Sequence, residues 1–592
     1  MKNLKKFLAI LISTLLVLGM AGCSSPTDTN QPEPVEETPA ETPAEEQTGM
    51  KPGKYTAAFR GYKSDVKVET EVDSEKIISV KVLEHKETDG IGTHAVERLP
   101  KIIVDSQSVK VDTISGATTT SYAIINGVKD ALKQAGADMK KFEVVPPAPT
   151  PKDVTLDTDV VVIGGGAAGL SAALEARRNG AEVIVVEKMD ITGGNTIRSS
   201  GAFNVAGHKL QIEANKGRKD IEEFIEFTMT GGHNMNDPAL VRYMIENSAG
   251  IVDWVTELGF TPEIGETYQS FTVPGYAPGL IIGLQKFFEE MGGKVMLSTK
   301  ATEIIMKDGA AAGIIAEGAD GGKVTINAGA VVIATGGYGA NLEWIAELDP
   351  SLKGFVTNNH PGATGDGIVM AQAVGAAVRD LNEIQTHPTV HVPTATMMTE
   401  GCRNAGGILV NTSGKRFTNE VNYRDIVSEA ILSQDQGFAY LIINQEIVDS
   451  NGNIQGYYDI GVLQKFDTIA DLAKFMNVEE SVLQETMDKW NKAVAEKNDP
   501  EFNSQFTWIR NLSKGPWYSV AVSPGIHHTM GGIVINTNTE VISTDGKVIP
   551  GLFACGEVTG GVHGGNRVGG NAILDCLVFG KTAGEKSAAY IK

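Results

Sequence analysis

The chain has 592 residues, 67 of them glycine, and a formal net charge of −22 at pH 7. Its length exceeds one ordinary domain, so at least two folded units with accessory segments are expected. The acidic balance argues against nucleic acid, which needs stripes of Lys and Arg. Cys23, Cys402, Cys555 and Cys576 include no Cys-x-x-Cys pair, which excludes c-type haem and argues against iron–sulfur, zinc or a disulfide framework.

Lys2, Lys5 and Lys6 precede an apolar run over 7–18, followed by Gly19-Met20-Ala21-Gly22-Cys23. A basic start, a short apolar core and small residues read as a secretory signal over 1–23. The run is too short for a comfortable membrane span. Ala21-Gly22-Cys23 resembles a bacterial lipobox, with Met20 in place of the commoner Leu. That resemblance implies that Cys23 is lipidated and anchors the protein to the outer face of the cell membrane. An uncleaved anchor helix is the alternative, and it tethers the chain on the same side.

Residues 24–50 are rich in Pro, Glu and Thr, with no Lys or Arg before Lys51. Like charges repel and nothing there can form a core, so the segment is expected to be a solvated, disordered tether. Residues 51–146 then read as a small α+β unit. Apolar alternation over 67–72 and 77–82 predicts half-buried strands. Residues 123–135 predict a helix with Ile124, Val128, Ala131 and Leu132 on one face. Pro146, Pro147, Pro149 and Pro151 mark a stiff linker.

Within this unit stands Asp112-Thr113-Ile114-Ser115-Gly116-Ala117-Thr118, with Glu87-Thr88-Asp89-Gly90-Ile91-Gly92 upstream. By composition alone the first is an ordinary turn and helix cap. Together the two segments resemble the FMN-binding domain found in subunits of sodium-pumping quinone reductases. The resemblance implies FMN joined covalently to Thr118 through a phosphoester, a bond made by a separate flavin transferase. Glycine-rich backbone at a helix start suits a phosphate.

The large body opens at about 155. In Asp159-Val160-Val161-Val162-Ile163-Gly164-Gly165-Gly166-Ala167-Ala168-Gly169 an apolar strand runs into a glycine turn and a helix; a second strand, 183–186, ends at Glu187. Gly164, Gly166 and Gly169 permit the turn and the approach of a pyrophosphate, and Glu187 is placed to accept from a ribose hydroxyl. This βαβ unit predicts a dinucleotide site without separating FAD from NAD.

Further segments separate them. Gly193-Gly194-Asn195-Thr196, Ala334-Thr335-Gly336-Gly337 and Gly556-Glu557 resemble the fumarate reductase/succinate dehydrogenase flavoprotein family, its soluble flavocytochrome branch in particular. Gln385-Thr386-His387-Pro388-Thr389, Thr399-Glu400-Gly401-Cys402-Arg403, Tyr423-Arg424-Asp425, His527-His528-Thr529 and Gly565-Asn566-Arg567 follow in the family's order. The resemblance implies FAD, bound noncovalently because no His lies between Gly193 and Gly207. Gly194, Asn195, Thr196, Gly336, Gly337, His527 and Glu557 would join the glycines and Glu187 around it.

It further implies a Rossmann-like α/β FAD-binding domain over 155–382 and 527–592, with an inserted α+β clamp, or capping, domain over 383–526. Arg567 and His528 would hold one carboxylate of a small unsaturated acid, and His387 and Thr399 its other end. Arg424 would protonate the alkene opposite the flavin, resupplied through Glu400 and Arg403. Electrons from a membrane or extracellular donor would enter at FMN. Fumarate is the first expectation, with urocanate, acrylate or methacrylate as alternatives. The family's urocanate members carry Tyr at the His387 position, which speaks against urocanate. A non-catalytic electron-transfer lipoprotein is the alternative of another class. His360 and His391 read as ordinary structural residues.

One segment departs from the family. Over 264–276, where fumarate members carry Met-Gly-Gly and a later Arg-x-His-Arg-Pro, this chain has Tyr268, Phe271 and Tyr276. These aromatics either reshape the pocket wall or pack within a loop.

Overall fold

The computed structural model describes residues 49–214, 220–265, 270–450, 452–504 and 510–592. The signal segment, Cys23, all but the last two residues of the tether, and Tyr268 lie outside them.

The small unit is a three-stranded antiparallel sheet, Gly53–Arg60, Asp65–Val72 and Ile77–Glu84, in that order. Val66, Val68, Thr70 and Val72 are buried on one face of the middle strand, as period-two alternation requires. Helices Gly92–Ser106 and Thr118–Gln134 bury Leu99, Ile103, Ile124, Val128 and Leu132 against it. The second helix starts at Thr118, earlier than the expected Ala123. Its run of β-branched and hydroxyl residues disfavours helix by propensity, but each hydroxyl that turns inward finds a partner. Ser121 Oγ donates to Ala117 O at 2.9 Å and accepts from Ile114 N at 3.1 Å, and Thr120 Oγ1 donates to Glu87.

The large body is built on an eight-stranded sheet. Val154–Ile163 lies parallel between Lys323–Ile333 and Val183–Val186, and Lys294–Met296 extends the parallel edge. Val160, Val161, Val162 and Ile163 are all buried, as expected for a parallel strand covered on both faces. Helix Asn571–Tyr590 lies against Ala167–Arg178. A Cβ at Gly584 would stand 2.2 Å from Ala172 O, so glycine lets the two backbones approach.

A second core, containing Val410, Ile442, Leu472, Trp490 and Val522, belongs to a six-stranded sheet and its helices. Here Trp517–Thr529 pairs with Ala439–Asn444 through its first half and with Ile384–His391 through its second. Val522 lies in this core and Ile526 in the larger one. That strand therefore passes from one core to the other. Buried Arg416 braces the smaller unit: it reaches Glu420 at 2.7 Å and Asp499 at 3.0 Å, with the Trp490 ring 4.3 Å away. No helix among the described residues is long and apolar enough to cross a membrane.

Candidate active site

The glycine turn opens into a cleft of about 840 Å³ between the parallel strands and the segments 194–196 and 360–366. Gly164, Gly166, Glu187, Gly194, Asn195, Thr196, Gly336 and Glu557 line it. Gly166 caps helix Ala167–Arg178 with no side chain on the first turn's N–H groups, and a Cβ there would meet nothing nearer than Gly193 O at 3.9 Å. That is an open anion seat at a helix N-terminus. Gly169 serves packing instead, since its Cβ would stand 1.9 Å from Gly164 O. Gly337 is likewise a close-packing position, against Thr529 Oγ1 and Glu557. Glu187 accepts from Gly165 N at 2.8 Å and Met189 N at 2.9 Å. Burial outweighs those hydrogen bonds and raises its carboxyl above the usual range. A dinucleotide fits this cradle.

His360, read from sequence as structural, also walls the cleft. Its Nδ1 accepts from Gly362 N at 3.1 Å, its Nε2 has no partner, and burial, then Arg198 and Lys188, depress it to about 4. Lys188 and Asp366 line the same wall as a 2.8 Å ion pair.

Glu557 joins the cleft to a second cluster. It accepts from Asn195 Nδ2 at 3.1 Å and Thr529 N at 3.2 Å, and lies 3.5 Å from His528 Nδ1. Burial raises its carboxyl despite these partners. The cluster is mounted on the strand that crosses between the cores and on its antiparallel neighbour Ile384–His391. Gln385 pairs with His528 and Thr386 with Ile526, so His527 is an extra residue in the ladder. A regular strand would send His527 and His528 to opposite faces; the bulge re-aims them so that both border the cluster. His527 Nδ1 lies 3.0 Å from Asn358 Oδ1 and its ring 5.2 Å from that of His387. His527, expected to line the cofactor cleft, thus sits beside His387.

Gln385 is the hub. Its Oε1 accepts from Arg424 Nη1 at 2.7 Å and from Arg567 Nη2 at 3.2 Å, while its Nε2 donates to Arg567 O at 2.8 Å. Two buried guanidiniums therefore converge on one neutral oxygen. Arg424, in the first turn of helix Arg424–Leu432, also donates from Nε to Glu400 Oε1 at 2.5 Å. Burial would raise Glu400, but the charge and hydrogen bond of Arg424, helped by His387 and Arg403, hold it well below the carboxylate range. Arg403 turns Nη1 to Glu420 O at 2.5 Å and leaves Nε without a partner. Its effect on Glu400 is electrostatic.

Burial, reinforced by Arg424 and Arg567, keeps His387, His527 and His528 well below the ordinary imidazole range, hence neutral at pH 7. Nε2 of both His387 and His528 is buried without a partner, as is Nε of Arg567. Burial and the neighbouring Arg424 push Arg567 down to about 9. Thr399 donates its N–H to Tyr457 Oη at 3.1 Å, and its Oγ1 accepts from Gly401 N at 3.4 Å. Unpaired buried donors beside two cations are costly unless a ligand meets them, and an anion supplies what all of them lack. Gln385 is the residue that motif reading missed. Its signal was strand parity, since it shares a face with His387 two positions on.

Of the departing segment, residues 264, 265 and 270–276 are described. Phe271 is buried, with its ring 6.3 Å from Phe203 and 5.4 Å from His208, whereas Tyr276 is exposed at a helix start. Phe271 and Tyr276 do not form a pocket wall in common.

In the small unit, Thr118 is exposed in the first turn of its helix, and Ala117 at the cap offers no side-chain hydrogen bond. Glu87 lies beside that turn, accepting from Thr120 Oγ1 and from the N–H groups of Tyr62 and Lys63, both at 3.0 Å. Free N–H groups and an accessible hydroxyl suit a phosphate at this end.

Residues 159–573 match the FAD binding domain family and 61–133 the FMN-binding domain family. The "Fumarate reductase (cytochrome)" of Shewanella frigidimarina is 41% identical over 444 residues, 73% of this chain and 77% of that protein. The urocanate reductase of Eggerthella lenta is 34% identical, covering 90% of this chain and 92% of its own length. The NADH:fumarate oxidoreductase of Klebsiella pneumoniae is 34% identical across 91% of this chain, which spans 59% of that longer protein. Among solved structures, an open flavocytochrome c3 fumarate reductase superposes with a TM-score of 0.62 at 38% identity, over 74% of this chain and 79% of that one.

Proposed function

Because this chain belongs to the FAD binding domain family of fumarate-reductase-type flavoproteins, with an FMN-binding domain fused ahead of it, we propose that it reduces the carbon–carbon double bond of a small unsaturated carboxylate, fumarate before others. The observation that carries this reading is the meeting of Arg424 and Arg567 on the single amide oxygen of Gln385, beside two neutral histidines with unpartnered Nε2 atoms. Two cations sharing one neutral acceptor repel, and a carboxylate between them relieves that repulsion.

Arg567 and His528 bind one carboxylate, the guanidinium through its planar fork. His387 and Thr399 hold the opposite end, so the alkene is fixed across the face of the ring site. FAD, when held in the cleft lined by Gly164, Gly166, Glu187 and Glu557, would supply the hydride for one alkene carbon. Arg424 delivers a proton to the other carbon. An arginine yields a proton only if another replaces it as it leaves, and the ionised Glu400, 2.5 Å from Arg424 Nε, is the group that would relay the replacement proton as Arg424 gives up its own. Buried Arg403 supports that relay through its charge on Glu400, and two electrons and two protons are added in all.

FMN on Thr118, attached by a flavin transferase, is the electron entry. A membrane or extracellular donor feeds it, and the lipid anchor at Cys23 would hold the protein at the outer face of the membrane. Urocanate, acrylate and methacrylate are the alternative acceptors, and His387 disfavours urocanate. The test is a panel of unsaturated acids offered to the flavin-loaded protein with reduced viologen. Fumarate-dependent dye oxidation is expected. Oxidation by another enoate alone moves the acceptor within the class, and none by any enoate refutes the reading.

A further inference from the structure

The FMN-related segment 112–118 and helix Gly92–Ser106 both meet the large body at one loop, the stretch after Glu187. Asp190 there is bound on three sides. Its Oδ2 accepts from Ser115 N at 3.2 Å, its Oδ1 from Ser298 Oγ at 2.6 Å, and its carbonyl oxygen from Arg98 Nη1 at 2.7 Å. Ser115 lies three residues before Thr118, and Arg98 lies on helix Gly92–Ser106. The next residue, Ile191, is 2% exposed and belongs to the core of the small unit, not to that of the body that carries it. A Cβ at Gly116 would stand 2.8 Å from Ile191 Cδ1, and one at Gly90 would stand 2.5 Å from Ile282 Cδ1. A side chain at either glycine would force the facing isoleucine to shift. The same loop walls the dinucleotide cleft, through Lys188 and Met189 before Asp190 and Gly194 to Thr196 after it.

We propose that Asp190, with Ile191, is the positioning residue that fixes the FMN attachment turn against the FAD cleft and so sets the spacing between the two flavins. The inference rests on the two-flavin reading above. Its chemistry is local. The Asp190 carboxylate accepts from the backbone of the very turn that presents Thr118, while its other oxygen ties to Ser298, next to cleft residues Thr299 and Lys300. Asp190 thus fastens the two flavin-bearing loops directly rather than through exposed faces, where single ion pairs contribute little. Two electrons leave reduced FMN, which is oxidised, and FAD takes them up with protons from solvent. No other reductant enters at this step, and a wider spacing slows it.

Asp190→Ala, Asp190→Asn and Arg98→Met test this. The dithionite-reduced, flavin-loaded enzyme is mixed with the enoate that oxidises the wild type fastest, and the two flavins are followed by stopped flow. The variants should reoxidise FAD in the first phase as the wild type does, and FMN in the second phase severalfold more slowly. They should keep fluorescence that survives denaturation. In the flavin-free chain they should be cut faster by trypsin at Lys152 in the linker, which reports undocking without any activity. Should Asp190→Ala fail to fold, Asp190→Asn carries the same comparison. A wild-type second phase together with wild-type linker protection overturns the proposal. Absence of a first phase in the wild type itself would instead defeat the reductase reading, and the trypsin result then judges Asp190 alone.

Discussion

Gln385 holds two arginines at one oxygen, and the arrangement has consequences that single side chains reveal. Neutral imidazoles are part of it. His360, His387, His527 and His528 are all depressed by burial first. A histidine neutral in the fold but free to protonate when unfolded favours the fold above about 6.5 and loses that advantage as pH falls. For His360, depressed to about 4, the loss begins near 6.5 and is complete near 4. Its share by pH 5 is about 2 kcal/mol. Chemical denaturation of the flavin-free chain at pH 7.5 and pH 5 should show His360→Gln losing less stability on acidification by about that amount. The flavin-free chain is required because an anionic cofactor in the cleft would favour the charged ring. At the other site, Thr118→Ala should abolish the yellow fluorescence of denatured protein from a host that has the flavin transferase. Retained dye would refute the attachment. Legibility at this scale followed motif membership. Arg424, Arg567, His387 and His528 stood in segments with a family counterpart, and the structure gathers them. Gln385 stood in the same segment but was passed over because an amide carries no charge or proton of interest. His360 lay in no motif, and only the fold brings it to the cleft wall.

At the scale of elements, the βαβ unit was readable because an apolar strand, a glycine turn and a helix are local and mutually consistent. Strand Val183–Val186 falls on the expected residues. The start of Thr118–Gln134 was not readable, since partners far away in the chain, such as Glu87, rescue its threonines. Nor was the bulge at His527, which exists only in the pairing of Trp517–Thr529 with Ile384–His391. The glycines divide by role in a way a substitution pair can separate. Gly169→Ala puts a methyl 1.9 Å from Gly164 O and should destabilise the fold by about 1–3 kcal/mol or more. Gly166→Ala meets nothing within 3.4 Å and should leave thermal unfolding of the flavin-free chain unchanged while weakening FAD retention on gel filtration. Equal effects on both readouts would contradict the assignment of Gly166 to the pyrophosphate.

Taken whole, the molecule places its arginine–histidine cluster at the strand shared by its two large cores, and a third, small core takes in Ile191 of the body. Sites at the junction of separately packed units are the rule for ligand pockets. Composition and motif order made this plan legible in outline. The inter-unit contacts of Asp190 were illegible, because nothing about a single Asp in a loop signals its partners Arg98, Ser115 and Ser298. The account stands on Arg424 as proton donor to an anionic alkene held over FAD. Its most direct measurement is single-turnover reoxidation of dithionite-reduced FAD by fumarate in wild type and Arg424→Ala, with FAD content verified by absorbance. The account predicts full FAD occupancy and a rate about 10²–10⁴-fold lower in the variant, the usual range for a positioned acid. A rate equal to wild type, with FAD retained, would contradict it.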